Sequence, residues 1–384
     1  MSFSDLGIGI GPTFGQGGML DLDAYLASLS GGFRFNFRKT DRFFQESIGP
    51  TLADDVGESI GLALDQRSWG GVSLSVLLSS QSYLLNEPFD VGSGWSVVIG
   101  GGTVTGGQLV CDGSATTRWY KDITGLAPGW YEIVGDAVGA NRQIVAYDGA
   151  AFTTNIGSSA TNTIGARMFV KLTTSSTMRI YLYSGTAVAG YWDNVTVRAV
   201  PGNHVVIGGA TLKPVRQTAG AKFDGTDDNL LSTYLASAGS NFLMARTTVP
   251  SSLAASQFVA GSTDGTPNRF ILGINSSGKA CAGISGDASS VIVGTTDLRN
   301  QEADIGVTCN GTTVRLLVNG AVEYEAAQNG SGLPTAVALR IGCFNSNGVA
   351  TSYYAGYIKE CLAGTDYLTL AKFNDIRRAL DRAA

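Results

Sequence analysis

The stretch Lys222-Phe-Asp-Gly-Thr-Asp-Asp-Asn-Leu-Leu231 decides how this 384-residue chain is read. Phe223 ends one apolar strand, and Leu230 and Leu231 begin another. Between them Asp224, Gly225, Asp227 and Asp228 form a tight acidic turn. Glycine enters positive φ without steric cost, and aspartate carboxylates accept hydrogen bonds from amides a few residues on. The segment therefore predicts two strands meeting at a sharp corner, with the aspartates acting as turn acceptors rather than as catalysts.

The composition around that corner agrees. There are 52 glycines against 9 prolines, 44% apolar residues and only 15% charged ones. Such a chain is long enough for two or three cores, and it favours short strands joined by tight turns over helix bundles. The net charge of −5, with no face-forming run of lysine and arginine, argues against nucleic-acid binding. No apolar run approaches the roughly 20 residues of a membrane span. The N-terminus lacks a basic stretch before an apolar core, so no signal peptide is expected and synthesis is read as cytoplasmic. Cys111, Cys281, Cys309, Cys343 and Cys361 are odd in number and none has CxxC spacing. They are read as buried free thiols rather than as a disulfide framework or a zinc site.

Upstream of the corner, Phe33, Phe35 and Phe37 alternate as in a half-buried strand. Phe43-Phe-Gln-Glu-Ser47, a Thr51-Leu-Ala-Asp-Asp55 turn and Val56-Gly-Glu-Ser-Ile-Gly-Leu-Ala-Leu-Asp65 follow. Residues 84–200 then interpose alternating segments, among them Gly129–Ile133, Gln143–Tyr147, Met168–Leu172 and Met178–Tyr183. Their turns recur about every 8–12 residues or slightly more, as in a β-sandwich. Downstream, Thr313–Glu325 carries Asn319-Gly320 between two alternating runs, a strong hairpin signal because both residues accept positive φ. Leu370, Phe373, Ile376 and Leu380 have helical spacing behind Thr369 as N-cap. Residues 1–30 begin with a glycine-rich stretch and are read as an extended arm that orders against a partner.

The fold class expected is all-β: two antiparallel β-sandwiches of jelly-roll type, a short N-terminal extended arm and one short C-terminal helix. FDGTDD, the Phe43–Asp65 pattern and the Leu316-Leu-Val-Asn-Gly-Ala-Val322 hairpin resemble concanavalin-A-like (laminin-G-like) sandwiches of phage structural proteins. The Leu85-Asn-Glu-Pro-Phe89 start, Gly94-Trp95 and the Tyr191-Trp-Asp-Asn-Val-Thr-Val197 end of the interposed segment resemble carbohydrate-binding-module-like jelly rolls, whose termini lie close together. Residues 31–83 and 201–384 are thus expected to form one interrupted sandwich, and 84–200 an inserted one.

These resemblances imply a spike, fibre or decoration subunit on the virion surface of a tailed phage or gene transfer agent. Its arm, residues 1–30, would meet other virion proteins, and its sandwiches would bind host-surface polysaccharide as part of a homo- or hetero-oligomer, without inserting in a membrane. The jelly-roll family also implies a structural calcium, which here would map to Glu87 and Asp193.

From the residues themselves, chemistry is sparse. His204 is the single histidine and is read as a solvated linker residue. Glu323 and Glu325 alternate as a glycosidase pair would, but a solvated strand face explains them as well. The positive signal is aromatic, since sugars present flat C–H faces that stack on exposed rings. Trp119/Tyr120, Trp130/Tyr131 and Tyr191/Trp192 are adjacent pairs that must face opposite ways on a strand. Trp119, Tyr120, Trp130, Tyr147 and Trp192 are the carbohydrate-binding candidates, the alternative being rings that cap the sandwich or an oligomer interface. Tyr353, Tyr354 and Tyr357 form a second candidate patch. No catalytic residue is assigned.

Overall fold

The computed structural model describes residues 14–15, 19–38, 43–45, 52–53, 55–67, 74–89, 94–207, 212–237, 239–264, 268–284, 291–328 and 333–382. The fold is all-β, with four large sheets paired into two sandwiches and three short helices at their margins. Among the described residues the strands pair antiparallel except where Gln257–Thr263 runs parallel to Phe344–Ser346, and Gly149 bridges Met178 in parallel.

Strands between Tyr83 and Val200 pair only among themselves. One sheet has the order Asn155–Ser158, Arg142–Asp148, Thr177–Ser184, Thr117–Thr124, Ser96–Ile99. The facing sheet runs Thr163–Leu172, Gly129–Val138, Gly190–Val200, Gln108–Cys111, Thr103–Thr105, with Tyr83–Glu87 also on the Gly190–Val200 strand. Ile144, Ile180 and Leu182 from the first sheet meet Ile133, Val170 and Trp192 from the second in one core. The alternation of Met178, Ile180 and Leu182 against Arg179, Tyr181 and Tyr183 sets which face of the first sheet is dry.

The larger sandwich assembles from both ends of the chain. Leu62–Ala63 pairs with Val205 and Val206, and Val206 and Ile207 pair onward to Leu231 and Leu230. The opposite sheet centres on Ala355–Gly364, flanked by Gly220–Asp224, Asn241–Thr248 and Gly32–Asn36. The acidic turn therefore carries the chain from one sheet to the other. Phe223 pairs with Gly356 on one side, and Leu230 with Ile341 on the other. Gly225 adopts φ 79°, and Asp224 Oδ1 accepts from Thr226 N at 2.8 Å and Asp227 N at 3.3 Å. The hairpin expected at Asn319-Gly320 forms, with φ of 48° and 92°.

The Gly32–Asn36 strand is buried on both faces, not one. Phe33 and Phe35 enter the core, while Arg34 on the other side pairs with Asp23 and Glu360 beneath the helices. Those helices are Leu22–Ser28 and Leu370–Arg382. Asp21 caps the first through Ala24 N, and Thr369 Oγ1 accepts from Lys372 N at 3.2 Å at the start of the second. Leu20, Leu22, Tyr25 and Leu26 pack with Phe373, Ile376 and Leu380, whereas Leu370 stays exposed. The part of the expected arm from Leu20 to Leu29 thus lies on the body, because its leucines complete the apolar face of the C-terminal helix. Residues 1–13 and 16–18 of that arm lie outside the described residues. All five cysteines are buried free thiols, and burial pushes Cys281 and Cys343 up to about 12 and Cys309 up to about 11.

His204 departs most from its reading. It is fully buried, not solvated. Its Nδ1 accepts from Asp65 N at 2.8 Å, and its Nε2 lies 3.2 Å from Val200 O. The ring meets Trp130 edge-on, with centroids 5.7 Å apart. The short return from Val200 to Val205 leaves no slack, so the imidazole fills the seam where the smaller sandwich rejoins the larger. Around it Leu62, Leu64, Leu74, Leu77 and Leu78 cover Trp130, Phe169 and Val200.

Candidate functional site

The outer face of the five-stranded sheet carries three cross-strand rows. Gln143, Tyr183 and Arg118 form one, Val145, Tyr181 and Tyr120 the next, and Tyr147, Arg179 and Asp122 the third. Directly paired residues share a face, so the rows stand side by side as one surface. Phe152, from the loop after Asp148, folds back over it and remains 42% exposed, which makes its ring available to solvent. Phe152 lies 4.9 Å from Tyr181, and meets Tyr147 and Tyr120 edge-on at 5.5 and 5.7 Å. Tyr181 and Tyr183 stack at 6.0 Å.

Arg118, Gln143, Val145, Tyr147, Phe152, Tyr181 and Tyr183 enclose an open depression of about 430 Å³, bounded also by Val98, Asn155 and Ser158. The two arginines of the face are in different electrostatic states, and of them Arg118 lines the depression. Arg179 donates from Nε and Nη2 to the Asp122 carboxylate at 2.6 and 2.8 Å, which holds its pKa above the ordinary value. Its guanidinium lies 3.9 Å from the Tyr120 ring centre and 4.6 Å from that of Phe152. Arg118 sits 5.3 Å over Tyr183, and its Nε is buried without a hydrogen-bond partner. Burial raises the Tyr181 hydroxyl, and the neighbouring Arg118 charge pulls it back. The face thus offers stacking rings, amide and hydroxyl groups, and one cation not neutralised by an ion pair among the described residues.

Two of the five carbohydrate-binding candidates, Tyr120 and Tyr147, lie on this face. Trp119 points to the other side of its strand and packs on the core. Trp192 is fully buried, and its Nε1 donates to Gln143 O at 3.3 Å. Trp130 is buried against His204 and Leu74–Leu78 at the seam. In the Trp119/Tyr120 and Tyr191/Trp192 pairs the tryptophan takes the dry side because it is the larger apolar ring and fills more of the core. Arg118, Gln143, Phe152, Arg179, Tyr181 and Tyr183 were not singled out from the sequence. Their signal was there in Arg179-Ile-Tyr-Leu-Tyr183, where period-2 alternation sets Arg, Tyr and Tyr opposite Ile and Leu.

The remaining candidates disperse. Glu87 Oε1 accepts from Phe89 N and its Oε2 from Lys121 Nζ, both at 2.8 Å. Asp193 accepts from Gln108 Nε2 at 3.1 Å and Asn194 N at 2.7 Å. Glu87 and Asp193, to which the resemblance maps a structural calcium, thus have separate partners, with an ammonium on the buried glutamate. Glu323 accepts from Thr295 N and Thr296 N and Oγ1 across the sandwich edge. Glu325 instead pairs with Arg315 Nε at 2.6 Å. A bulge at Glu323, the residue left unpaired between Val322 and Tyr324, sends the two glutamates to different neighbours. Tyr354 is fully buried and donates to Thr248 O, and Tyr353 donates to Ala350 O. Tyr357 lines a separate depression of about 520 Å³ beside Phe223, Val249 and Pro250.

Asp224, Asp227 and Asp228 bring carboxylate oxygens within 4.8 Å of one another. Burial, together with the charges of Asp224 and Asp227, pushes Asp228 up to about 6. A raised acid pKa favours folding fully below its unfolded value, and that contribution is lost as pH rises through 6. Asp228→Asn keeps an acceptor for Asp224 N, which Asp228 Oδ2 now bonds at 2.9 Å. The variant is expected to gain about 1 kcal/mol over the wild type at pH 7 and nothing at pH 3.5. Urea unfolding at both pH values checks this, and an equal difference at the two would contradict it.

No family model matches the chain, and no curated protein matches it. Among solved structures it is similar to the CBM40 of Ruminococcus gnavus IT-sialidase, with TM-score 0.31 and 13% identity over 36% of this chain and 82% of that one. It is also similar to a Trypanosoma rangeli sialidase, with TM-score 0.37 and 13% identity over 47% of this chain and 30% of that one. A third is the NanB sialidase from Streptococcus pneumoniae, with TM-score 0.28 and 16% identity over 35% of this chain and 23% of that one.

Proposed function

We propose that the smaller sandwich binds a glycan on the aromatic face of its five-stranded sheet. The observation that carries this is the set of rows that places Tyr120, Tyr147, Tyr181 and Tyr183 on one outer face of the sheet, with Tyr181 buried beneath the exposed ring of Phe152. A packed sheet has no need for four tyrosines and a phenylalanine on its wet side. Sugar rings, with apolar faces and hydroxyl edges, match that surface together with Gln143 and Asn155 at its rim. Binding proceeds without turnover in this reading, since the glutamates that resembled a glycosidase pair are engaged in separate structural bonds.

Tyr147→Ala and Tyr181→Ala are each expected to weaken glycan binding about tenfold or more while leaving the β-sheet circular dichroism unchanged. Calorimetry against the best glycan from an array measures it, with release of reducing ends followed in parallel. Wild-type affinity in both variants would remove the site, and steady release of reducing ends would remove the non-catalytic reading.

In the fuller reading the chain is a surface subunit of a phage-like particle, and its glycan is host-cell polysaccharide that the particle meets during adsorption. Support comes from the FDGTDD corner and the Asn-Gly hairpin, which resemble those of phage structural proteins and here build the larger sandwich. Antibody labelling of particles purified from the producing cells tests it. Particles that carry none of the chain would overturn the virion role and leave glycan binding standing.

A further inference from the structure

The geometry points to a carboxylate-bearing sugar, of the uronic or sialic kind, as the ligand class of this face, with Arg118 as the residue that reads the carboxylate. The inference rests on the glycan-binding reading above and deepens it. Arg118 and Arg179 occupy the first and third rows of the same surface, with the Val145, Tyr181 and Tyr120 row between them. Arg179 is already matched by a bidentate pair with Asp122, so its charge is cancelled within the protein. Arg118 has the ring of Tyr183 beneath it and Val98 beside it, and among the described residues no carboxylate pairs with it. Its Nε is buried and unbonded. The depression therefore keeps one net positive charge, at the row formed with Gln143 and Tyr183.

A neutral sugar leaves that charge without a counter-ion as the site dries on binding, which costs affinity. A carboxylate on the sugar removes the cost and gains a charge-assisted, forked hydrogen bond, the geometry for which guanidinium is suited and ammonium is not. Tyr183 under the guanidinium fixes the plane of the fork, and Tyr147, Tyr181 and Phe152 hold the sugar ring beside it. Charge and stacking thus come from different residues, which makes them separable by mutation.

The test uses the full chain on an array of neutral, carboxylated and sulfated glycans. Calorimetry follows on the best carboxylated ligand and on the same ligand with its carboxylate converted to a methylamide. The wild type is expected to bind the carboxylated form about tenfold or more tightly than the amide. Arg118→Met is expected to level the two, Arg118→Lys to restore only part of the difference, and Tyr147→Ala to weaken both. The preference should also shrink with added salt. Equal affinity for acid and amide, a preference that survives Arg118→Met, or binding confined to sulfated glycans would overturn the carboxylate assignment while leaving the glycan site intact. Binding to no glycan of any class would overturn the glycan reading and this inference with it. Thermal melts of Arg118→Met matching the wild type separate these outcomes from misfolding.

Discussion

Trp192→Ala is expected to lower folding stability by about 4 kcal/mol and to leave the glycan face chemically intact. The indole is fully buried between the two sheets of the smaller sandwich. Its removal opens one of the largest cavities a single substitution can make there, in a core that also holds Phe89, Ile144 and Leu182. A second loss adds to the first. The Arg142 guanidinium is buried 5.1 Å over the indole face, with Nη2 donating to Val188 O. Without the ring, that charge keeps one carbonyl and loses its aromatic support. The Nε1 bond to Gln143 O goes as well. Tyr147→Ala, by contrast, removes a half-buried ring from the outer face and is expected to cost under about 1 kcal/mol. Urea unfolding of both variants beside glycan titrations makes the comparison. A Trp192→Ala variant of near wild-type stability that had lost glycan affinity would reverse the assignment of core and site.

That contrast shows what the sequence could and could not disclose. Alternation correctly requires Trp119 and Tyr120, or Tyr191 and Trp192, to face opposite ways. It does not say which way is in. For Trp119 and Trp192 the tryptophan fills the core, so two of the named candidates were on the wrong side of a correctly read strand. For Trp130 both sides are buried, because Tyr131 enters the sandwich core while Trp130 is roofed by Leu74–Leu78 and His204. A roof contributed from a distant stretch has no local period. The same limit explains Phe33–Phe37, read as half-buried and found buried on both faces, with Asp23 of a helix and Glu360 of a strand from the far end of the chain closing over Arg34.

Local signals fared better where the backbone itself carries them. Asp224 and Gly225 make the corner that their types demand, and Asn319-Gly320 makes its hairpin. Thr369 caps the helix it was expected to cap. The outer aromatic face needed a different inference, namely that Arg118, Tyr120, Tyr147, Tyr181 and Tyr183 align across three strands. Register between strands 30 or more residues apart is set by tertiary pairing, so the individual strands were legible and their rows were not.

His204→Ala is expected to cost about 3 kcal/mol, and the wild-type imidazole to withdraw a comparable amount of stability as pH falls from 6.5 to 4, against about 1 kcal/mol that protonation of Asp228 returns over the same range. Burial drives the imidazole pKa down to about 4. The native state therefore holds the neutral ring, with Nε2 donating to Val200 O and Nδ1 accepting from Asp65 N. Between pH 4 and 6.5 the unfolded chain binds the proton that the folded chain refuses, so stability is full above the unfolded pKa and drains as pH drops toward the folded one. The location multiplies the consequence. Asp65, whose amide the ring accepts, takes bonds on its own carboxylate from the amides of Arg34, Arg67 and Asn203. These four contacts tie the first strand of the larger sandwich, the chain leaving it and the chain returning to it at one point. Alanine leaves the Asp65 amide buried without an acceptor and a hole beside Trp130. Asparagine supplies an acceptor without a titrating ring, so His204→Asn is expected to retain more stability and to lose the imidazole's share of the pH dependence between 4 and 6.5, keeping only the opposite trend of Asp228. Unfolding midpoints across that range, taken for the wild type and both variants, read out the difference. Parallel pH curves for all three proteins would show that the imidazole is not the group that makes the seam acid-sensitive.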